Sequence, residues 1–261
     1  MSSCRPPPGR YLCIMRIAVL ALMLTSGAAQ AEPLHYAVYA GGAKLVVITT
    51  GYDVTASSYR AYVNYRTTGP AAALFSGGTD TVVTGRLVLG APRPDRLISQ
   101  GMLRGEPRMT QIDYEQDTPR VVKMEPPTDV PREPVPVAAQ AHTVDGLTAI
   151  VSLIQQVATA GRCEGRTMVY DGRRLTEVTA TTAGTDMLPA TSRSRYAGPA
   201  MRCTITSRMV AGFLVDKDDM MRKPLQSQVW FASLKEGAAP VPVRITVPTR
   251  WFGDASVYLT D

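Results

Sequence analysis

The chain has 261 residues, 45% of them apolar, and a formal charge of +6. Three of its 28 Lys and Arg residues (Arg5, Arg10 and Arg16) lie in the first 31 positions with no acid among them. Residues 32–261 therefore carry 25 bases against 22 acids, a balance of only +3. Bases and acids are interleaved rather than clustered, which speaks against a nucleic-acid partner.

Met15 and Arg16 precede the apolar run 17–24 and the small-residue stretch Thr25 to Ala31. This is the pattern of a secretory signal peptide. The apolar run is too short for a permanent span, and Ala29-Gln30-Ala31 fits a cleavage site after Ala31. Met15 is a candidate initiator, which would make the first fourteen residues extraneous. The expectation is a leader over 1–31 and a single β-rich exported domain over 32–261, localised to the periplasm. No later run reaches the roughly 18 apolar residues of a membrane helix, so no transmembrane segment is expected after cleavage.

From Leu34 to Met124 the sequence reads as successive strands. Tyr59, Ala61, Val63 and Tyr65 alternate with Arg60, Tyr62, Asn64 and Arg66, giving a core face and a wet face. Over Thr79 to Leu89, Val83, Leu87 and Leu89 oppose Asp80, Thr84 and Arg86. Turns are expected at Gly41-Gly42, Gly77-Gly78, Ala91 to Pro94 and Gly105 to Pro107. Five prolines between Glu125 and Val137 exclude a helix or an interior ladder and read as an extended surface crossing. One long helix follows, with Leu147, Ile150, Val151, Ile154 and Val157 on its apolar stripe. Thr143 or Asp145 would cap its start and Gly161 its end.

Further strands are expected at 167–170, 173–180, 201–209, 227–234, 241–247 and 255–259. Asp171-Gly172 reads as a two-residue hairpin turn, and Pro242 confines its strand to an edge or a bulge. The fold class is mainly β: an antiparallel curved sheet or half-barrel of about ten or more strands, with one central amphipathic helix against its concave side. Two half-sheets separated at the proline segment are the alternative.

Cys4 and Cys13 fall in the leader, leaving Cys163 and Cys203 as an even pair in an oxidising compartment. A disulfide is expected between them. With two histidines, His35 and His142, no metal site and no cofactor are expected. The hydrolase elbow, zinc helix and phosphate loop are absent as motifs. His142, Asp145 and Ser152 could be assembled into a triad only on paper. Asp113, Glu115 and Asp117 on one strand face, with Asp171 and Glu177, are the acids that a glycan hydrolase would use. Asp216 to Asp219 lacks the glycine and glutamate of a calcium loop and reads as a charged turn.

Tyr170-Asp171-Gly172-Arg173-Arg174 after Cys163, and Trp230-Phe231 leading to Pro242-Val243-Arg244-Ile245, form an ordered set of motifs. With Thr143-Val144-Asp145, Cys203, Ala211-Gly212 and Gly253, the set resembles the exported bacterial family catalogued as domain of unknown function 3108. Gly146 departs from the proline that this family would carry after the aspartate. The resemblance covers about Tyr36 to Leu259. It implies an all-β, half-barrel-like envelope protein and no established activity.

Trp230 and Arg244 stand on neighbouring expected strands and, with Tyr62 from the early tyrosine cluster, are the candidate ligand surface. They would line the mouth of a concave apolar face, the arginine meeting an anionic head group. The functional expectation is a non-catalytic binding or envelope-assembly factor whose partner is a lipid, a glycan or an envelope protein. The alternatives are a glycan hydrolase and a structural module docking a membrane complex.

Overall fold

Short-range turn chemistry builds most of the sheet. The computed structural model describes residues 32–127, 131–215, 222–249 and 253–261; the leader and the Asp216 to Asp219 segment lie outside them. Seven strands open the fold: β1 (Leu34–Ala40), β2 (Ala43–Val54), β3 (Ser58–Thr67), β4 (Gly77–Val88), β5 (Ala91–Leu103), β6 (Glu106–Glu115) and β7 (Thr118–Glu125), with a short helix α1 (Gly69–Phe75) between β3 and β4. Four of their connections are two residues long with positive φ at both positions: Gly41-Gly42, Leu89-Gly90, Arg104-Gly105 and Gln116-Asp117. That backbone matches the right-handed twist of the flanking strands and holds each antiparallel pair in register.

Several expected turns are displaced. Gly77-Gly78 begins β4, and Ala91 to Pro94 lies inside β5. Pro92 and Pro94 are tolerated there because β5 pairs with β6 only from Arg96 onward, so each missing N–H falls on a stretch with one neighbour. Leu89 is a fully exposed turn residue rather than a core residue.

After the proline crossing come α2 (Val137–Gln140) and α3 (Gly146–Ala160). Six strands follow: β8 (Gly165–Tyr170), β9 (Leu175–Leu188), β10 (Gly198–Ala211), β11 (Leu225–Ala232), β12 (Val241–Pro248) and β13 (Asp254–Leu259). The β8–β9 hairpin exists, but its connection is four residues, 171–174, not two. Asp171 Oδ1 accepts from the Arg173 and Arg174 backbone N–H groups and so shapes the turn itself. Pro242 sits where the β11–β12 register shifts beside Phe231, so the proline occupies a bulge inside the sheet.

All thirteen strands form one antiparallel sheet in the order β7-β6-β5-β4-β3-β2-β1-β13-β12-β11-β10-β9-β8. The half-sheet alternative is therefore overturned. The two meanders join through β1 and β13, with Tyr36 opposite Leu259 and Tyr39 opposite Ser256.

Helix α3 occupies the inside of the curve. Asp145 caps it by accepting from the Leu147 and Thr148 N–H groups, and Gly161 ends it at φ 62°. Gly146 occupies the first helical position, where the family would carry proline, and the Asp145 side chain supplies the cap. Val151 packs with Tyr59, Ala61, Val83, Leu97, Ile112 and Tyr114 of β3 to β6. Ile154 and Val157 pack with Cys163, Cys203, Val229 and Phe231. One helix meets both groups of strands only because the sheet curls around it. Ile150 is half exposed rather than on the stripe, and Thr148, fully buried, takes its place. Each fully buried aliphatic residue of the stripe contributes about 1.5–3 kcal/mol. The concave side, expected to carry an apolar ligand, is thus packed by the chain's own helix.

The sheet edges β7 and β8 do not pair, but the gap between them is bridged twice. His142 N–H donates to Asp117 O at 2.9 Å, while Val144 adds a parallel bridge to β8 through Met168 O and Tyr170 N–H. The 171–174 turn closes on β7, with Arg173 Nη2 donating to Pro126 O at 2.7 Å. Gly172, at φ 90°, is required here, since a Cβ would lie 2.5 Å from the Met124 methyl.

Cys163, just beyond α3, and Cys203 on β10 are fully buried at disulfide distance, with Cα atoms 5.9 Å apart. The pair ties the helix to the strand it packs on and closes a segment of 40 residues. Replacing both cysteines by alanine is expected to lower unfolding stability by roughly 4 kcal/mol on the chain-entropy model. Urea unfolding of the oxidised protein and the double variant measures it, and equal midpoints would contradict a formed bond.

Candidate functional site

A row of side chains crosses β10 to β13. Arg202 pairs with Trp230, Trp230 with Arg244, and Arg244 with Tyr258 across successive strands. Val229 and Ile245, the neighbours of Trp230 and Arg244 along their strands, pack in the cluster around α3. Successive strand residues alternate faces, so Arg244 points away from the helix. Against the expected placement at the mouth of a concave surface, this alternation turns Arg244 to the outer face, while Trp230 is buried in a cluster with Tyr36, Val243 and Leu259.

The Arg244 guanidinium carbon is 5.1 Å from the Trp230 ring and 5.5 Å from the Tyr258 ring. A cation between two ring faces is held by their quadrupoles and loses rotamer freedom. Trp230 is buried, and its Nε1–H donates to Asp186 Oδ2 at 2.8 Å. Arg202 pairs with the same oxygen at 3.2 Å. The row's acid is therefore already engaged, and among the described residues Arg244 has no carboxylate partner. Its Nε is buried with no hydrogen-bond acceptor. The row continues through Tyr39, edge-on to Tyr258 at 5.9 Å, and Arg193 lies 4.6 Å over Tyr39. Three arginines face one aspartate along this stripe.

Of the three residues expected to form the ligand surface, the fold brings two together. Tyr62 is on β3, with β2, β1 and β13 between it and β12. Sequence reasoning missed Tyr258, Arg202 and Asp186, because only the cross-strand register aligns them with Arg244.

The candidate hydrolytic acids are each taken by arginine. Asp113 accepts two bonds from Arg96, at 2.8 and 2.9 Å. That guanidinium holds the Asp113 carboxyl below the usual carboxylate range. Glu115 pairs with Arg120, Asp171 with Arg174, and Glu177 with both Arg166 and Arg208. Asp117 lies in the β6–β7 turn rather than on the strand and pairs with Arg86. A glycosidase needs two carboxylates available to the scissile bond, whereas each of these acids is engaged by an arginine. The triad also dissolves: His142 is exposed, Asp145 is buried as a helix cap, and Ser152 donates to Thr148 O.

A family model described as "Protein of unknown function (DUF3108)" matches residues 35–260, from the start of β1 to the end of β13. The chain belongs to this family. A crystal structure of a beta-barrel-like protein of domain of unknown function DUF1849 from Brucella abortus is similar at TM-score 0.50 and 13% identity. The similarity covers 87% of this chain and 95% of that one. At that identity it speaks for the fold alone. No curated protein matches the chain.

In this DUF3108 chain the most unusual acid is Asp145, at 1% exposure. Its Oδ2 accepts from Thr148 Oγ1 at 2.5 Å, and Tyr59 Oη lies 2.6 Å from the same hydroxyl. Burial lifts the Asp145 carboxyl above its usual range, against the opposing effect of these hydrogen bonds. The folded protein then keeps a proton that the unfolded chain, with an ordinary aspartate value near 4, has lost. This contribution to stability is fully present below about pH 4 and is lost as pH rises through the higher native value. The D145N variant keeps the cap and is expected to flatten that slope in urea titrations from pH 4 to 8. A variant with the wild-type slope would show that Asp145 does not carry it.

Proposed function

We propose that this protein is a non-catalytic binding factor of the bacterial cell envelope, acting in the periplasm, and that Arg244 takes the anionic head group of an amphiphilic envelope component. The observation that carries this reading is the Arg244 guanidinium, held between Trp230 and Tyr258 with no carboxylate closing on it among the described residues. A planar guanidinium stacked this way keeps N–H donors for a phosphate or carboxylate and meets it as a bidentate fork. Arg193 adds positive charge over Tyr39, and the half-buried rings of Tyr39 and Tyr258 offer apolar area to the adjoining chain.

The leader pattern over 15–31 supports export, and the Cys163–Cys203 spacing supports an oxidising compartment. The arginine pairing of Asp113, Glu115, Asp171 and Glu177 weighs against hydrolysis. Moving the ligand surface from the concave face to the outer face follows from α3, whose stripe leaves the inner side packed.

Flotation with phosphatidylcholine vesicles, with and without phosphatidylglycerol, tests the reading. The expected result is binding that requires the anionic lipid and weakens with salt. The R244Q variant should lose affinity at least tenfold, about 1.4 kcal/mol, with an unchanged melting temperature. Wild-type protein that ignores phosphatidylglycerol, or an R244Q variant that binds equally well, would overturn it.

A further inference from the structure

Tyr62, separated from the Arg244 row, belongs to a different site. On the outer face of β3 its cross-strand neighbours are Gly51 on β2 and Val82 on β4. Gly51 has no side chain, and the Tyr62 ring has moved into the space that one would fill. A Cβ on Gly51 would lie 2.7 Å from Tyr62 Cε1 and 2.8 Å from its hydroxyl oxygen. Because the ring leans towards β2, the surface above Val82 is left open. There the sheet carries a depression of about 270 Å³ lined by Arg60, Tyr62, Asn64, Asp80 and Val82. That volume lies just below the usual range of drug-sized pockets, so it has room for one ring and not for an extended chain.

The lining combines an apolar floor and an aromatic wall with planar polar groups at the rim. Arg60 sits 6.0 Å from the Tyr62 ring. Asn64 Nδ2 donates to Asp80 Oδ1, and Asp80 Oδ2 is engaged by Arg66 at 3.0 Å. With one amide N–H held by Asp80, Asn64 keeps its carbonyl oxygen as an acceptor and its second N–H as a donor for ligand hydroxyls. Arg60 supplies donors. A pyranose ring has the complementary surface: C–H groups on one face for the aromatic and aliphatic side chains, and paired hydroxyls at the edge for amide and guanidinium groups.

We propose that this depression is a binding subsite for a single pyranose unit of an envelope glycan. It stands apart from the Arg244 row in position and in ligand chemistry, so either site can fail without the other.

The experiment is a titration of the oxidised wild-type protein with chitotriose, an N-acetylglucosamine trisaccharide, followed by amide chemical shifts. Saturable shifts confined to residues 60–64 and 80–82 are expected. The Y62A variant should weaken binding at least tenfold. The G51V variant changes no lining residue's identity but pushes the Tyr62 ring over Val82, and should abolish the shifts. The N64A variant is a milder substitution should the β2 variant unfold, and should weaken binding several-fold. Shifts that do not saturate, that map elsewhere, or that persist unchanged in Y62A and N64A would overturn the proposal. Shifts that vanish in R244Q but survive in Y62A would assign the sugar to the other row and overturn it equally.

Discussion

The pairing of β1 with β13 is the constraint on which the rest of the structure depends. Each half of the chain is a meander in which strands consecutive in sequence pair with each other, and either meander alone would end in two open edges. Joining Tyr36 to Leu259 and Tyr39 to Ser256 turns them into one thirteen-stranded sheet with its outer edges, β7 and β8, brought towards each other. The entropic cost of closing a loop of more than two hundred residues grows only slowly with length. The new ladder and the burial of Tyr36 and Leu259 offset it. The same joint brings Tyr39 beside Tyr258, extending a row that β10 to β13 align within the second meander.

The helix sets how far the sheet curls. Val151 packs it against β3 through β6, while Ile154 and Val157 pack it against the opposite half, and the cysteine pair fixes its far end to β10. The interior is thereby filled with side chains of this chain. That packing is why ligand chemistry has to be sought on the outer face, where arginine, tryptophan and tyrosine share a stripe and where Tyr62 leaves a hollow. The polar cap of the same helix, Asp145 with Thr148 and Tyr59, places a carboxyl in the core, where its hydrogen bonds to two backbone N–H groups and one hydroxyl stand in for water.

Much of this was legible residue by residue. The alternation of Tyr59 and Ala61 with Arg60 and Tyr62 names the core face of β3 correctly, and the Asp145 cap and the Gly161 terminus stand where their chemistry requires. Failures came where a neighbour overrides a local preference. Leu89 reads as core by period but lies in a turn, because the hairpin register is set by Gly90 after it. Pro92 and Pro94 read as a turn but extend β5 past the end of its partner. Ile150 reads as core, yet it is half exposed, because the buried stripe of α3 runs through Thr148, Val151, Ile154 and Val157, with Thr148 meeting the Tyr59 hydroxyl.

The sequence by itself determined the strand-rich class, the single long helix with its caps, and the two cysteines available for pairing, because turns, caps and alternation act over a few residues. Tertiary structure alone decided that the two meanders form one sheet and that α3 fills its inside. It also decided that Trp230, Arg244 and Tyr258 meet while Tyr62 does not. These facts depend on cross-strand register between segments up to two hundred residues apart. No local pattern encodes that register; it is selected by which apolar surfaces are buried together when the whole chain closes.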